Sequence, residues 1–363
     1  MEQKVITVIY MMKYMLAEGG NAMQYNRLGT TGLWVSKLCL GTANFGLGDS
    51  RGFHDWGVVD QKTAFEIMDY AMDHGINFFD TANVYGGLDT RGLSEKIIGK
   101  WFKTGGLRRE KTVLATKVGR IFEQDQTDGP NNCEGLSIYK IRRHLEASLI
   151  RLQTDKVELY NMHKHDPGTS WDEIWEGFEG VVRSGKVDYI GASNHDAWEI
   201  VKAQAVAKSR GFMGIVSEQH LYTPLNRLAE HEMLPMALDQ GIGITIFSPL
   251  FRGILGIDMR NPDKHQRTAE AEFHFQYLQK QLSEFTDLCV EIGESPANVT
   301  LAWELRHPAV NSIIIAPNSV EDLEELFRSL EITLDESVLR RMDEIFPPLE
   351  ELNPYVPRTI NRR

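Results

Sequence analysis

Four residues of this chain have side chains whose combined chemistry suits the reduction of a carbonyl group. Asp80 and Tyr85 lie in the segment FFDTANVYG, Lys117 lies in VLATKVG, and His163 lies in VELYNMHKHD. Singly, each has an ordinary structural explanation, such as a packed ring for Tyr85 or a solvated strand end for Lys117. Each also ends or closely follows an apolar run typical of a β-strand, so one fold can bring all four to the same edge.

Reduction of a carbonyl by a hydride leaves an alkoxide, which must receive a proton in the transition state. The phenol of Tyr85 can supply that proton, although its ordinary pKa of about 10 is high for work near neutral pH. We expect the Lys117 ammonium to lower that pKa and the Asp80 carboxylate to hold the lysine charged and oriented. The imidazole of His163 can donate a hydrogen bond to the carbonyl oxygen. These four residues are the predicted catalytic set, and Tyr85 and His163 are also predicted to contact the substrate.

The elements that must position these residues alternate regularly along the chain. Short runs rich in β-branched and aromatic residues predict strands at Val35–Leu40, Ile76–Asp80, Thr112–Lys117, Val157–His163, Val187–Ala192, Gly214–Gln219, Gly243–Phe247 and Ser312–Ile315. Amphipathic segments predict helices at Gln61–His74, Leu93–Phe102, Ser137–Leu152, Trp171–Arg183, Asp196–Ser209, Arg227–Gln240, Ser295–Arg306, Ser319–Ser329 and Asp335–Ile345. The strands show little polar alternation, which indicates a parallel sheet covered on both faces.

Eight strands alternating with helices predict an α/β fold, a (β/α)₈ TIM barrel formed by a single domain over residues 23–347. The turn signal Gly29-Thr-Thr-Gly32 predicts an N-terminal hairpin that plugs the bottom of the barrel. An inserted loop and an extra helix are expected between Phe251 and Glu294, before the last strand. Residues 1–22 are predicted to be a flexible N-terminal extension, and residues 348–363 a C-terminal tail. A doubly wound dinucleotide-binding fold is disfavoured because GTANFG, after the first strand, is not a GxGxxG motif.

The composition is that of an ordinary globular protein. Of the 363 residues 42% are hydrophobic and 25% charged, and the formal net charge of −12 argues against nucleic-acid binding. No apolar run approaches the length of a membrane span, and VITVIYMM near the N-terminus is a poor signal peptide. Cys39, Cys133 and Cys289 form no disulfide framework, which points to a reducing compartment. We expect a cytoplasmic protein with a small-molecule partner, and the sequence leaves the oligomeric state open, a homo-oligomer included.

The motifs, taken in order, resemble those of the aldo-keto reductase superfamily over residues 23–347. They are GTANFG, FFDTANVYG, ATKVG, YNMH, GASNH, SEQHLY, FSPLFRGILG and APNSVEDLEEL. The resemblance implies that Asp80, Tyr85, Lys117 and His163 are the catalytic tetrad of that family. It also implies a nicotinamide cofactor and a carbonyl substrate.

The resemblance further implies a cofactor site. Ser193, Asn194 and Gln219 match residues that hydrogen-bond the nicotinamide carboxamide, and Phe247 matches a ring packed against the nicotinamide. The full set of implied cofactor residues is Gly41, Thr42, Asp80, Ser193, Asn194, Gln219, Phe247, Ser248, Pro249, Leu250, Gly253, Ala316, Asn318, Asp322 and Glu325. Without the family, Ser193-Asn194 would be interpreted as a helix N-cap and Phe247 as a core residue.

One segment departs from the family pattern. Where the family commonly places a cation against the adenosine 2′-phosphate of NADP, this chain has Ala316, Asn318 and Asp322. The family implies NADPH, but the missing cation and the added carboxylate predict a weak preference, with NAD also accepted. Arg328 is expected to compensate only if its helix turns it toward the cofactor.

Within the superfamily, three segments indicate which branch the chain resembles. WDEIWEGF, SEQHLY and DEIFPP are most similar to the actinomycete nucleotide-sugar 2,3-reductases and to the potassium-channel β-subunit branch. Loops over residues 47–59, 120–134 and 251–272 mix aromatic and polar side chains, which suits a polar carbonyl such as a sugar or keto-sugar. Trp56 and Arg120 in these loops are predicted substrate contacts.

Two alternative functions remain at this point. A metal-dependent barrel hydrolase would use the histidine pair His163 and His165, but that pair follows the fourth strand and no aspartate ends the last one, so no metal site is predicted. A non-catalytic subunit that senses the nicotinamide cofactor, as in the channel-associated branch, is compatible with an intact tetrad. Turnover of a simple aldehyde separates that alternative from an enzyme.

Overall fold

The computed structural model describes residues 23–47, 58–87, 90–120, 132, 134–262 and 269–348. Its strands are β1 (Tyr25–Arg27), β2 (Trp34–Ser36), β3 (Leu38–Gly41), β4 (Phe78–Asp80), β5 (Val113–Val118), β6 (Val157–Met162), β7 (Val187–Ser193), β8 (Ile215–His220), β9 (Gly243–Ile246) and β10 (Val310–Ile315). Strands β3 to β10 form a closed parallel barrel in sequence order, with β10 pairing both β9 and β3. The predicted (β/α)₈ barrel is confirmed.

The predicted N-terminal hairpin is also confirmed. Strands β1 and β2 pair antiparallel, and Leu28 and Val35 are wholly buried in one cluster with barrel residues that include Cys39 and Phe78. The hairpin therefore closes the amino-terminal end of the barrel. The predicted strand 35–40 is in fact two strands, because at Lys37 the N–H donates to the Gln24 carbonyl while the carbonyl accepts from Ile313.

The described helices are α1 (Gln61–Asp73), α2 (Leu93–Lys103), α3 (Ile138–Leu152), α4 (Trp171–Arg183), α5 (Ala197–Ser209), α6 (Met233–Gln240), α7 (Ala269–Ile292), α8 (Pro296–Leu305), α9 (Val320–Leu326) and α10 (Glu336–Ile345). Ser137, Ser170 and Ser295 cap α3, α4 and α8 by accepting N–H groups of the first turn. Helix α7 is the extra helix predicted before the last strand. No helix in the described part of the chain is long and apolar enough to cross a membrane.

Two predicted helices are wrong in detail. The segment 227–240 divides into a 3₁₀ turn at Leu228–Glu230 and helix α6. Pro235 explains the division, because it lacks an N–H and is tolerated only in a first turn, where α6 places it. The predicted helix 319–329 ends at Leu326 and continues as a 3₁₀ turn, Phe327–Leu330.

Residues 1–22 and 349–363 lie outside the described part, so the predicted domain boundaries stay predictions.

The barrel geometry places the predicted catalytic residues at one end. Parallel strands direct their carboxyl ends to the same face, where barrel enzymes carry their active sites. Asp80 is the last residue of β4, Lys117 is the last but one of β5, and His163 directly follows β6. Tyr85 lies five residues beyond Asp80, in the loop between β4 and α2, and is buried.

Candidate active site

The ammonium of Lys117 joins the predicted catalytic residues. Lys117 is completely buried, and its Nζ donates to Asp80 Oδ2, to the Thr81 carbonyl at 3.0 Å and to the Tyr85 hydroxyl oxygen at 3.2 Å. An ammonium has three N–H groups, and all three have acceptors. The lysine is therefore fixed between a carboxylate and a phenol, as the sequence predicted.

Tyr85 and His163 complete the group. Their rings are perpendicular, with centroids 5.8 Å apart, and the Lys117 Nζ lies 4.8 Å from the centroid of the Tyr85 ring. The Tyr85 oxygen accepts from Lys117, which directs the phenol's own hydrogen away from the lysine. Nδ1 of His163 is buried and has no hydrogen-bond partner among the described residues.

The pKa values follow from burial and from these neighbours. Burial raises the pKa of Tyr85 above its ordinary value, and the Lys117 charge offsets that rise only in part. Lys117 does lower the pKa of Tyr85, as expected, but desolvation of a phenolate outweighs one nearby ammonium, so the net pKa is raised. Burial alone would lower the pKa of Lys117, but Asp80 and Tyr85 leave it raised. Burial, Lys117 and Arg120 together hold the pKa of His163 well below its ordinary value, so its imidazole is neutral.

Asp80 also connects to the implied cofactor residues. Its Oδ1 accepts a hydrogen bond from Gln219 Nε2 at 2.9 Å. Its backbone carbonyl accepts from the N–H and from the hydroxyl of Thr42, each at 3.0 Å. Both carboxylate oxygens of Asp80 are thus held, one by Lys117 and the other by Gln219.

Ser193, Asn194 and Gln219 form what we call the amide clamp, and its free positions suit a primary carboxamide. Asn194 Nδ2 donates to the His163 carbonyl at 3.0 Å and to Ser193 Oγ at 2.9 Å, while Gln219 Nε2 donates to Asp80. These bonds leave the amide oxygens of Asn194 and Gln219 as acceptors and direct the Ser193 hydroxyl hydrogen elsewhere. A carboxamide has two N–H hydrogens and one carbonyl oxygen, so the clamp fits the nicotinamide that the resemblance implies.

The loop after β9 contributes the next implied cofactor residues. Phe247 packs against the barrel interior, Pro249 is buried, and Leu250 packs against the main core. Ser248 is exposed, with φ of 48°, and Gly253 has φ of 83°, a left-handed conformation that glycine adopts without strain. The loop is thus anchored by apolar side chains while Ser248 stays accessible.

The segment expected near an adenosine phosphate is exposed. Ala316, Asn318, Asp322 and Glu325 all have accessible side chains at the end of β10 and along α9. Asp322 accepts a hydrogen bond from the Asn318 N–H at 3.1 Å.

Two further residues define the surroundings of this segment. Gly41, another implied cofactor residue, lies where an added Cβ would be 2.6 Å from Ile314 Cγ2, so it allows β3 and β10 to pack closely. Arg328 binds Glu294 at 2.5 Å and Glu331 at 2.6 Å. Two carboxylates therefore bind Arg328, and they would compete with a cofactor phosphate for its charge.

The predicted substrate contacts have different outcomes. Arg120 is exposed at the end of β5, and its charge acts on the pKa of both Tyr85 and His163. Trp56 lies outside the described residues. His163 and His165 do not act as a pair, because His165 instead contacts Glu199 at 2.5 Å. No three metal-ligating side chains converge within the described part of the chain.

Sequence reasoning missed two residues of this region. Asn44 donates to the Pro317 carbonyl at 2.8 Å and to Asn318 Oδ1 at 3.1 Å, which ties the loop after β3 to the cofactor segment. Glu218 is buried next to Gln219. Asn44 lies inside GTANFG, so the motif was the available signal, whereas nothing local marks Glu218 as buried.

Comparison with known proteins agrees with this geometry. The model of the aldo/keto reductase family matches residues 37–346. The chain is 54% identical over 325 residues to an uncharacterized oxidoreductase, YrpG, of Bacillus subtilis, covering 90% of this chain and 96% of the relative. It is 31% identical to a putative aryl-alcohol dehydrogenase of Schizosaccharomyces pombe, over 90% of this chain and 96% of that protein. It is 29% identical to the versiconal hemiacetal acetate reductase of Aspergillus parasiticus, over 93% and 99% of the two chains. A barrel with a buried lysine between a carboxylate and a phenol, and a family match over most of its length, together show that this chain belongs to the aldo/keto reductase family of oxidoreductases.

Proposed function

We propose that the protein reduces an aldehyde or ketone to an alcohol with NAD(P)H, and that Tyr85 is the proton donor. The observation that carries the proposal is the buried chain of contacts from Asp80 through Lys117 to the Tyr85 hydroxyl. The amide clamp beside it matches the donors and acceptors of a nicotinamide carboxamide.

The roles of the chain's own residues follow from their positions. When bound, the reduced nicotinamide supplies the hydride that the carbonyl carbon receives. Tyr85 transfers its proton to the carbonyl oxygen, and the Lys117 ammonium stabilises the phenolate that results, because a nearby positive charge in a buried site is weakly screened. Asp80 keeps Lys117 charged. His163 is neutral, so it donates a hydrogen bond without competing for the proton.

The substrate class is a further proposal. The mixed aromatic and polar loops suit a sugar or keto-sugar, while the relatives from S. pombe and A. parasiticus bear the names of an aryl-alcohol dehydrogenase and a hemiacetal acetate reductase. A panel of aryl aldehydes, aliphatic aldehydes and keto-sugars, assayed with NADPH and with NADH, tests the proposal. Tight cofactor binding without turnover of any member would instead support a cofactor-sensing subunit.

We expect Asn318→Arg to raise the preference for NADPH over NADH by about tenfold or more, the value of one charge-assisted hydrogen bond. The substitution supplies the missing cation at a position where Asp322 otherwise repels phosphate. Titration of both cofactors against protein fluorescence measures the change, and Asn318→Gln, which adds length without charge, is the matched control. A thousandfold preference for NADPH in the unmodified protein would contradict this account of the segment.

A further inference from the structure

Behind the amide clamp lies a carboxylate that the proposed mechanism does not use. Glu218 is wholly buried in β8, directly before the clamp residue Gln219. Its Oε1 accepts the backbone N–H of His195 at 3.2 Å and lies 3.4 Å from Nδ1 of His220. Its Oε2 has no hydrogen-bond partner among the described residues.

The turn that Glu218 holds has an unusual backbone. Asn194 has φ of 59°, in the left-handed region that asparagine tolerates better than most residues. The His195 side chain supports the same turn, since its Nδ1 donates to the Ser193 carbonyl at 2.9 Å. The position of Ser193 and Asn194 therefore depends on contacts from the residue that follows them.

We propose that Glu218 is a positioning residue that fixes the turn Ser193–His195 and so sets the affinity of the amide clamp for the nicotinamide cofactor. Its carboxylate holds one side of the clamp through the His195 N–H, while its own strand carries the other side, Gln219. Backbone pairing also joins the two sides, since the Asn194 N–H donates to the Gln219 carbonyl at 3.3 Å, and Glu218 adds a side-chain bond that fixes the turn beyond that pairing. The inference rests on the proposed function, because it concerns how the same site binds its cofactor.

Protonation of Glu218 weakens this support. Burial raises the pKa of Glu218 to about 7, although His220 and the His195 N–H favour its charged form. A charged carboxylate accepts a hydrogen bond more strongly than a neutral acid does. Besides His220, the titratable group that faces it is His195 on the turn, 4.0 Å from its Oε2. His165, after β6, packs on His195 and contacts Glu199 on α5. Lowering the pH through about 7 should therefore weaken cofactor binding.

The test measures the dissociation constant of NADPH by fluorescence titration, which does not depend on turnover. We expect Glu218→Ala to raise that constant by about tenfold, because one buried hydrogen bond to a charged group is lost. The turnover number at saturating cofactor should stay nearly unchanged. Glu218→Gln keeps an acceptor oxygen but has neither a charge nor a titratable group, so it should bind NADPH about as weakly as the wild type does below pH 7 and lose the pH dependence near 7.

Glu304→Ala is the matched control. Glu304 is also wholly buried, has no hydrogen-bond partner for either oxygen in the described chain, and lies near the end of α8 away from the barrel mouth. This variant removes a buried carboxyl of the same kind far from the clamp, so NADPH affinity should not change. Unchanged NADPH binding by Glu218→Ala, or wild-type pH dependence in Glu218→Gln, would overturn the inference while leaving the proposed function intact. If Glu218→Ala does not fold, the pH profile of Glu218→Gln decides. Failure of the wild type to bind either nucleotide would refute the proposed function as well.

Discussion

Tyr85→Phe should lower the turnover number for carbonyl reduction by about 10²- to 10⁴-fold, the usual contribution of a general acid. The substitution removes the proton donor and keeps the ring, so the perpendicular packing on His163 is retained. Cofactor affinity should change little, because the amide clamp lies elsewhere, on β8 and at the end of β7. Steady-state kinetics with the best aldehyde of the panel, together with a fluorescence titration of NADPH, measure the two effects separately.

Two results would contradict this assignment. Near-normal turnover by Tyr85→Phe would mean that another group supplies the proton. A large loss of cofactor affinity would mean that the phenol helps to form the binding site and does not act as an acid. Tyr189→Phe is a useful control, because Tyr189 lies in β7 within the barrel interior and has no assigned role in the reaction. That variant should keep full turnover.

Lys117→Met should reduce turnover by a comparable factor, about 10²-fold or more, since the positive charge that stabilises the phenolate is lost. Removal of the ammonium also raises the pKa of Tyr85 further. An alkaline limb of the pH–rate profile should therefore shift to higher pH. The variant should also be less stable by about 3–5 kcal/mol, because the buried Asp80 carboxylate loses its charged partner.

The double variant Asp80→Asn/Lys117→Met separates catalysis from stability. A neutral amide at position 80 needs no buried counter-charge, so we expect most of the lost free energy of unfolding to return. Turnover should stay low, because the proton donor still lacks its cation. Urea unfolding and steady-state kinetics on the same preparations check both expectations. Recovery of activity together with stability would show that Lys117 acts only as a structural partner of Asp80.

The sequence alone determined the architecture because its signals are local. Buried parallel strands appear as short β-branched runs, and capping serines mark where helices begin, so most barrel elements were predicted within a few residues. The two main errors have different causes. The strand predicted at 35–40 is divided at Lys37 by hydrogen bonds to Gln24 and Ile313, which no pattern within the strand reveals. The prediction of one helix over 227–240 did not take into account that Pro235 is tolerated only in the first turn of a helix.

The same locality explains which part of the site could be predicted. A strand end is recognisable in sequence, so Asp80, Lys117 and His163 could be assigned to one face of the barrel before any distance was known. The motifs of the family then supplied the amide clamp as an implication.

Only the tertiary structure decided how these groups affect one another. The bond from Gln219 to Asp80 joins residues 139 positions apart, and Arg328 is bound by Glu294 from a different element. The net rise in the pKa of Tyr85 depends on how far burial outweighs one ammonium, and burial is a property of the packed molecule. Residue types and strand order are encoded locally, whereas desolvation and the pairing of buried charges arise only when distant segments exclude water together.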